Sequence, residues 1–193
     1  MTEKTLYIIG GCNGAGKTTA SYTVLPEILE CREFVNADEI AKGLSPFNPE
    51  SVAIEAGRLM LLRIDELLKA NVSFSIETTL STKSYQKLVH RAQQQGYQVK
   101  LIFFWLDSPE TAIRRVAQRV REGGHNIPQD IIVRRYHAGI NNLFNLYMRQ
   151  VDYWLLINNT QGASEYVAEG GAAIPTEIFN TNTYLKVKQY VRE

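Results

Sequence analysis

The sequence has few of the features that mark secreted, membrane or nucleic-acid-binding proteins. Its 193 residues include only two cysteines, Cys12 and Cys31, too few for a disulfide framework and typical of a reducing compartment. The net charge is +1, so no overall positive field would attract nucleic acid or an anionic membrane. No stretch approaches the roughly 20 apolar residues that span a bilayer, and the N-terminal apolar run is too short for a signal peptide. These absences predict a cytoplasmic protein with no nucleic-acid or membrane partner.

The amino-acid composition is that of a globular protein with a full hydrophobic core. Apolar residues make up 45% of the chain and charged residues 21%, and neither repeats nor linkers divide it, so we expect one domain over residues 1–193. Strand-like and helix-like segments alternate, which predicts a mainly parallel sheet with helices on both faces. The predicted strands are 5–10, 33–36, 72–76, 99–106, 153–157 and an edge strand at 165–168, and the predicted helices are 17–29, 50–70, 84–95, 109–121, 128–150 and 182–192.

The stretch GCNGAGKTT, residues 11–19, follows the first predicted strand and matches the P-loop pattern. Glycines let the backbone turn tightly, so that N–H groups point at an anion at the start of a helix. Lys17 would supply a cation for the β- and γ-phosphates of ATP, and Thr18 a hydroxyl for Mg²⁺. The alternative is a glycine-rich turn with a solvated lysine. The predicted nucleotide-binding residues are Gly11, Cys12, Asn13, Gly14, Ala15, Gly16, Lys17, Thr18 and Thr19.

A P-loop alone does not specify the reaction, and two further absences narrow the choice. The chain lacks the SGG-containing signature of ABC-type ATPases and the Asn-Lys-x-Asp element of GTPases. A small-molecule kinase needs a base for the acceptor and an arginine-rich lid, and the sequence has candidates for both. A kinase is therefore predicted, and an ATP-dependent switch or binding module without an acceptor is the alternative from another class.

Three carboxylates follow predicted strands, where ligands of open α/β sheets bind. Asp38 could take the proton of the attacking hydroxyl, and its structural alternative is a helix N-cap. Glu77 ends a strand expected beside the P-loop strand, where it could contact magnesium through water or hold the substrate, or else cap the next helix. Asp107 precedes Ser108-Pro109 and is better explained as an N-cap.

An arginine-rich segment over residues 114–135 has the composition of a helical lid. Arg119 is the residue expected to contact phosphate during transfer, whereas Arg114 and Arg121 fit a solvated helix face. His125 lies in the hinge REGGHNIP and could touch a phosphate. Arg58 lies in an apolar helix and points either to solvent or into the substrate cleft. These features predict a three-layer α/β sandwich of the P-loop kinase type with an arginine-rich lid.

Several segments together resemble the zeta-toxin-like kinases, and in particular a bacterial branch often described as predicted ABC-type ATPases. The resemblance covers roughly residues 5 to 160, and the segments that carry it are GCNGAGKTT, NADEIAKGL, GRLMLLRIDELL, FSIETTLS and RVAQRVREGGHNIPQDIIVRRY.

The resemblance implies a specific reaction and specific roles. Zeta toxins use ATP and Mg²⁺ to phosphorylate the 3′-hydroxyl of UDP-N-acetylglucosamine, and an antitoxin protein is the implied partner. On this basis Asp38 matches the general base, Arg58, Glu77 and Thr79 the substrate-contacting residues, and Arg119 the first lid arginine. His125 stands near the position of the second lid arginine. Another nucleotide, nucleoside or sugar is the alternative acceptor.

Overall fold

The computed structural model describes residues 4–27, 29–124, 126–162 and 164–192, and its strands form one seven-stranded sheet. The strands are β1 Thr5–Gly11, β2 Phe34–Val35, β3 Phe74–Thr78, β4 Gln98–Trp105, β5 Tyr153–Asn158, β6 Glu165–Gly170 and β7 Glu177–Ile178. The α-helices are α1 Lys17–Glu27, α2 Ala37–Leu44, α3 Ala53–Ala70, α4 Tyr85–Gln94, α5 Pro109–Arg121, α6 Gln129–Asn145 and α7 Thr181–Lys188. Short 3-10 helices cover Pro49–Val52 and Tyr147–Arg149.

The order of the strands in the sheet is β2-β3-β1-β4-β5-β6-β7. The first five strands are parallel, and β6 and β7 extend the sheet in the antiparallel sense. From β1 to β2 the chain moves across the sheet in one direction, and from β2 to β3, β4 and β5 it moves in the opposite direction. Because such crossovers are right-handed, α1 lies on one face of the sheet and α3 to α6 on the other. The result is the expected three-layer α/β architecture.

Strand β1 lies at the centre of the core, and all seven of its residues are buried. Its neighbours are β3 and β4, and Ile9 of β1 pairs in register with Glu77 of β3. A central buried strand of this kind brings the loop that follows it to the carboxyl edge of the sheet, where its neighbours also end. Within the described part of the chain, no helix combines the length and the apolar character needed to cross a membrane.

The structure confirms the predicted strands and helices with small shifts at their ends, and it corrects five details. Helix α2 was not expected, β6 is not the edge because β7 pairs with it, and the predicted helix 128–150 is divided into α6 and a 3-10 turn. The N-cap of α5 is Ser108, whose side chain accepts from Thr111 N, and not Asp107. The N-cap of α2 is Asn36, so Asp38 is not a cap. In both cases the residue with the extended backbone, directly before the helix, provides the cap.

Helix α6 packs closely against the loop that follows β3, and a glycine makes this approach feasible. A Cβ built at Gly139 would lie 2.6 Å from the backbone oxygen of Thr79, far inside van der Waals contact. The position is therefore restricted to glycine by packing, although alanine has the better helix propensity.

We expect Gly139→Ala to lower the free energy of unfolding by about 1–3 kcal/mol, the usual cost of overpacking. The melting temperature, measured by circular dichroism, should fall by several degrees. Gly57→Ala in α3 is the matched control, because nothing lies within 4 Å of its built Cβ. That control should leave stability unchanged or raise it by up to about 1 kcal/mol. Equal melting temperatures for the two variants would contradict the packing argument.

Candidate active site

The loop between β1 and α1 turns where only glycine is tolerated. Gly11 has φ +141°, and a Cβ there would lie 2.4 Å from the backbone oxygen of Phe104. Gly16 has φ +85°, and its Cβ would lie 2.6 Å from Asn159 Nδ2. A side chain at either position would be strained and would clash. The loop conformation therefore explains the spacing of the glycines in the sequence.

Two side chains from distant parts of the chain hold the outer carbonyls of this loop. Asn159 Nδ2 donates to the Ala15 carbonyl at 2.8 Å, and Arg115 Nη1 donates to the Gly14 carbonyl at 3.4 Å. The other terminal nitrogen of Arg115 donates to the carbonyls of Asn159 and Thr160 at 2.8 and 2.9 Å. Since C=O and N–H point in opposite directions across a trans peptide, holding the Ala15 carbonyl directs the next N–H to the inside of the loop.

Glu77 links the P-loop helix to the strand beside it. Thr18 Oγ1 donates to Glu77 Oε2 at 2.7 Å, and Asn36 Nδ2 donates to the same oxygen at 2.9 Å. Lys17 Nζ lies 3.7 Å from Glu77 Oε1 and donates to the Cys12 carbonyl at 3.0 Å. The Lys17 and Glu77 side chains are only 7% and 9% exposed. Glu77 therefore lies against the P-loop and does not cap the following helix, whose N-cap is Ser84.

The oxygens around Thr18 suit a hard cation. Mg²⁺ usually takes one or two protein oxygens and keeps several waters, and the Thr18 hydroxyl and the Glu77 carboxylate provide such a pair. In the part of the chain that the structure describes, no group of three or more His, Cys, Asp or Glu side chains could form a closed cage for a metal. The donor set therefore fits magnesium held together with a nucleotide, with Glu77 close enough to act directly or through water.

Asp38 lies in the first turn of α2 and faces the same region as Glu77. It lines a cavity of about 230 Å³. Its neighbour Glu39 instead pairs with Lys42 on the surface, with 2.6 Å between Oε1 and Nζ. Of these two acidic neighbours, Asp38 is therefore the one in the cavity wall. Other residues that line this cavity include Asn13, Lys17, Asn36, Glu77, Thr79 and Arg135.

The arginine of α6 that lies beside the P-loop in this structure is Arg135, which the sequence did not single out. Arg135 of α6 reaches the P-loop, where its Nη1 donates to Asn13 Oδ1 at 3.3 Å, and it lines the 230 Å³ cavity. Arg119 is partly buried on α5, where its carbonyl accepts from Gly124 N, and it does not line that cavity. Its catalytic role stays a prediction. Arg114 and Arg121 bond to neighbours on α5, as a solvated helix face predicts. His125 lies outside the described residues.

A second, larger cavity of about 680 Å³ lies beside the first between α3 and α4. The two share Ala37, Met60 and Tyr85 as wall residues. Arg58 lines this second cavity together with Lys87 and Arg91, so it faces the groove beside the predicted acceptor site. The groove thus combines an apolar wall with these three cations and with Asp65, whose carboxylate pairs with Arg91.

The loop after β3 has an unusual backbone. Leu80 has φ +58° and is completely buried, a conformation that costs a branched side chain of order 1–3 kcal/mol. Asn142 Nδ2 of α6 donates to the Leu80 carbonyl at 2.9 Å, and the Tyr147 hydroxyl donates to the Thr82 carbonyl at 2.9 Å. Packing against α6 therefore fixes the loop that carries Thr79 in the cavity wall.

Burial raises the pKa of two groups near the site and keeps them neutral. The pKa of the Cys12 thiol rises to about 11, mainly because the group is desolvated, although Lys17 opposes the shift. Burial also raises the pKa of Tyr85 in the shared wall of the two cavities. At neutral pH neither group is expected to act as a base or nucleophile. Cys12 is thus a small residue of the loop, as the sequence suggested.

Sequence reasoning did not single out three of these residues. Asn159 and Arg135 meet the P-loop across 144 and 122 positions of sequence, and no local pattern signals such contacts. Asn36 did carry a signal, because an asparagine before a helix start is a preferred N-cap. This signal was not used because no helix was predicted after Asn36 and the strand before it has only two residues.

A comparison with known families identifies the chain. A family model described as zeta toxin matches residues 2–166. The chain belongs to the zeta toxin family. A relative from Haemophilus influenzae (strain ATCC 51907 / DSM 11121 / KW20 / Rd), described as an uncharacterized protein, is 30% identical over 136 residues, which are 70% of this chain and 94% of the relative. The sequence resemblance to zeta-toxin-like kinases is confirmed.

Solved structures share the fold of this zeta toxin family member at low sequence identity. A chain of the AvrRxo1-ORF1:AvrRxo1-ORF2 complex with sulphate ions has a TM-score of 0.80 at 18% identity over 99% of this chain. The chain spans 65% of the length of that protein. The same complex has been solved with ATP. A structure of the PezAT toxin–antitoxin system of Streptococcus pneumoniae has a TM-score of 0.73 at 18% identity and is covered to 79%.

The Asn159 contact generates the first prediction for the site. Asn159→Ala removes the donor to the Ala15 carbonyl, and we expect the dissociation constant for ATP to rise about 5- to 10-fold, the equivalent of one hydrogen bond. Isothermal titration calorimetry measures the effect directly. Asn145→Ala is the control, since Asn145 bonds only to Asn141 and Arg192 among the contacts that the structure describes. Equal affinities for both variants would show that the loop keeps its shape without Asn159.

Arg135 and Arg134 form a matched pair on α6. Arg135 faces the P-loop, whereas Arg134 is exposed. If Arg135 contacts phosphate during transfer, Arg135→Ala should lower kcat at least ~10-fold, and Arg134→Ala should change it less than ~2-fold. The same assay on Arg119→Ala, with Arg121→Ala as its control, tests the residue expected from the sequence. If kcat fell only in Arg119→Ala, the phosphate contact would be assigned to Arg119 on α5 and not to Arg135.

Proposed function

We propose that this zeta toxin family member transfers the γ-phosphoryl group of ATP to a hydroxyl of a small acceptor. The observation that supports this is the common wall of one cavity. Lys17 from the P-loop, Glu77 from β3, Asp38 from α2 and Arg135 from α6 all line it. A kinase requires a phosphate cation, a base and a lid cation at one point, because phosphoryl transfer depends on positioning and charge stabilisation. On this proposal residues 1–193 act as one kinase domain.

ATP binds with its phosphates against the N–H groups of the P-loop. Lys17 then leaves the Cys12 carbonyl and Glu77 and follows the charge on the β- and γ-phosphates. Mg²⁺ held by Thr18, with Glu77 directly or through water, would neutralise part of the phosphate charge. Arg135, already beside the P-loop, contacts the equatorial oxygens of the phosphoryl group as transfer begins. Arg119 reaches the same group only if α5 closes further.

Asp38 acts as the general base. The acceptor hydroxyl gives its proton to the Asp38 carboxylate while its oxygen forms a bond to the γ-phosphorus, and the bond from that phosphorus to the leaving oxygen of ADP breaks. The position of Asp38 supports this role, because the residue lines the cavity and does not cap the helix. Glu77 is already engaged by Thr18 and Asn36, so it is the less suitable proton acceptor.

For the acceptor we propose a nucleotide sugar, and specifically UDP-N-acetylglucosamine at its sugar 3′-hydroxyl. The 680 Å³ cavity supports an acceptor of this size, and Arg58 and Lys87 suit its diphosphate, whereas Arg91 is paired with Asp65 of the same wall. Thr79 and Arg58 then contact the acceptor. Membership of the zeta toxin family supports the same substrate. The complexes of the structural relatives support an antitoxin protein as partner, and the use of ATP and nucleotide sugars supports a cytoplasmic location.

Acceptor phosphorylation tests the proposal directly. The purified protein is incubated with ATP and Mg²⁺ and with UDP-N-acetylglucosamine or other nucleotides, nucleosides and sugars, and the products are analysed by mass spectrometry. Phosphorylation of another compound would show that the proposed acceptor is wrong, but it would support the proposed kinase activity. ADP release that no acceptor accelerates would instead support an ATPase switch.

Asp38→Asn is the sharpest test of the mechanism. The amide keeps the size of the side chain but cannot take a proton, so kcat should fall by roughly 10²–10⁴-fold while the dissociation constant for ATP stays within a few-fold. Glu39→Gln on the same turn is the control and should keep kcat, because Glu39 pairs with Lys42 away from the cavity. Persistence of transfer in Asp38→Asn, with loss in Glu77→Gln, would assign the base to Glu77.

A further inference from the structure

Asn36 connects the two carboxylates on which the proposed reaction depends. It lies between β2 and α2 and is only 6% exposed. Its Oδ1 accepts from the backbone N–H of Asp38 at 2.8 Å, and its Nδ2 donates to Glu77 Oε2 at 2.9 Å. One planar amide thus holds the helix turn that carries Asp38 and, through the other end, the Glu77 carboxylate.

We propose that Asn36 is a positioning residue that fixes the general base relative to the carboxylate beside Lys17 and Thr18. This inference rests on the proposed function. Asp38 and Glu77 come from different elements, and no contact between their side chains is recorded in the structure. The amide of Asn36 is the recorded hydrogen-bonded link between them. Its rigid plane joins the Glu77 side chain to the backbone turn that carries Asp38.

The chemistry at this position requires a neutral group with both a donor and an acceptor. Oδ1 must accept from the start of α2, and Nδ2 must donate to a carboxylate that is itself only 9% exposed. When ATP binds, Lys17 turns to the phosphates and Thr18 to the metal, and Asn36 then remains as the donor that holds Glu77. Aspartate or serine could still cap the helix, but neither can donate an N–H to Glu77.

The alternative is that Asn36 only stabilises the fold as an N-cap. The two roles separate in Asn36→Ser, which keeps a capping oxygen but loses the amide N–H that reaches Glu77, since its hydroxyl is one atom closer to the backbone than Nδ2, and in Asn36→Ala, which loses both. If Asn36 is a positioning residue, kcat should fall at least ~10-fold in both variants, and KM for ATP should stay within ~3-fold of wild type. Only Asn36→Ala should show a clearly lower melting temperature. If it is only a cap, Asn36→Ser should keep the wild-type kcat.

A second asparagine in the chain provides a matched control. Asn180 caps α7 by accepting from Thr183 N at 2.9 Å, and its Nδ2 donates to Glu165, the same two contacts as those of Asn36 but outside both cavities beside the P-loop. Asn180→Ser and Asn180→Ala should change the melting temperature as the Asn36 variants do. Both should keep kcat within ~2-fold of wild type. A similar loss of kcat at Asn180 would show that the effect at Asn36 is general destabilisation, and would overturn the proposal.

A measurement of ATP binding tests the role of Asn36 even if no phosphoryl transfer can be detected. We expect the gain in ATP affinity on adding Mg²⁺ to fall at least ~3-fold in Asn36→Ser, with the affinity without Mg²⁺ unchanged, because Glu77 is no longer held beside Thr18. If the wild type binds ATP with Mg²⁺ but phosphorylates no acceptor, the proposed function fails and Asn36 is judged on this gain alone. An unchanged gain in Asn36→Ser, together with an unchanged kcat wherever transfer is measurable, would overturn the role of Asn36.

Discussion

The buried carboxylate of Glu77 is the point on which the arrangement of this site depends. A carboxylate that is removed from water must be paired and hydrogen-bonded, or it destabilises the fold. Glu77 meets this requirement with three partners from two parts of the chain: Lys17 and Thr18 at the start of α1, and Asn36 between β2 and α2. The need to satisfy one charge therefore draws the P-loop helix and the acceptor side of the site together, and the register of β3 against β1 places that charge beside the loop.

The parts of the site that the sequence predicts are those with a local physical signature. The glycine spacing in residues 11–16 follows from backbone angles, and the neighbouring strand of Glu77 follows from the alternation of strands and helices. Helix α2 was missed because it has only eight residues and lies between a two-residue strand and a proline-containing loop. Caps were misassigned where two polar residues stood side by side, as in Asp107-Ser108, since sequence alone does not reveal which of them has extended backbone.

The contacts that complete the phosphate site could not be predicted, because they depend on packing and not on pattern. Asn159 leaves the end of β5 and reaches the P-loop only because β5 lies two strands from β1 in the sheet. Arg135 was one of several arginines in the lid segment, and the turn of α6 decides that it, and not Arg134, meets Asn13. The family resemblance pointed to Arg119 on α5 and to His125. A resemblance matches positions in the sequence, but it does not reveal which side of a helix faces the P-loop.

The backbone of Leu80 has a consequence for how the protein matures. Its left-handed conformation is unfavourable for the isolated loop, and it is held by Asn142, 62 positions later in the chain, with Tyr147 securing Thr82 across 65 positions. During synthesis, the loop carrying Thr79 therefore cannot take its final shape until the ribosome has released α6 and the turn after it. Asn159, which holds the Ala15 carbonyl of the P-loop, is synthesised later still. A nascent chain that ends before α6 would thus contain the glycines of the P-loop and the loop after β3, but would lack the contacts that shape both loops.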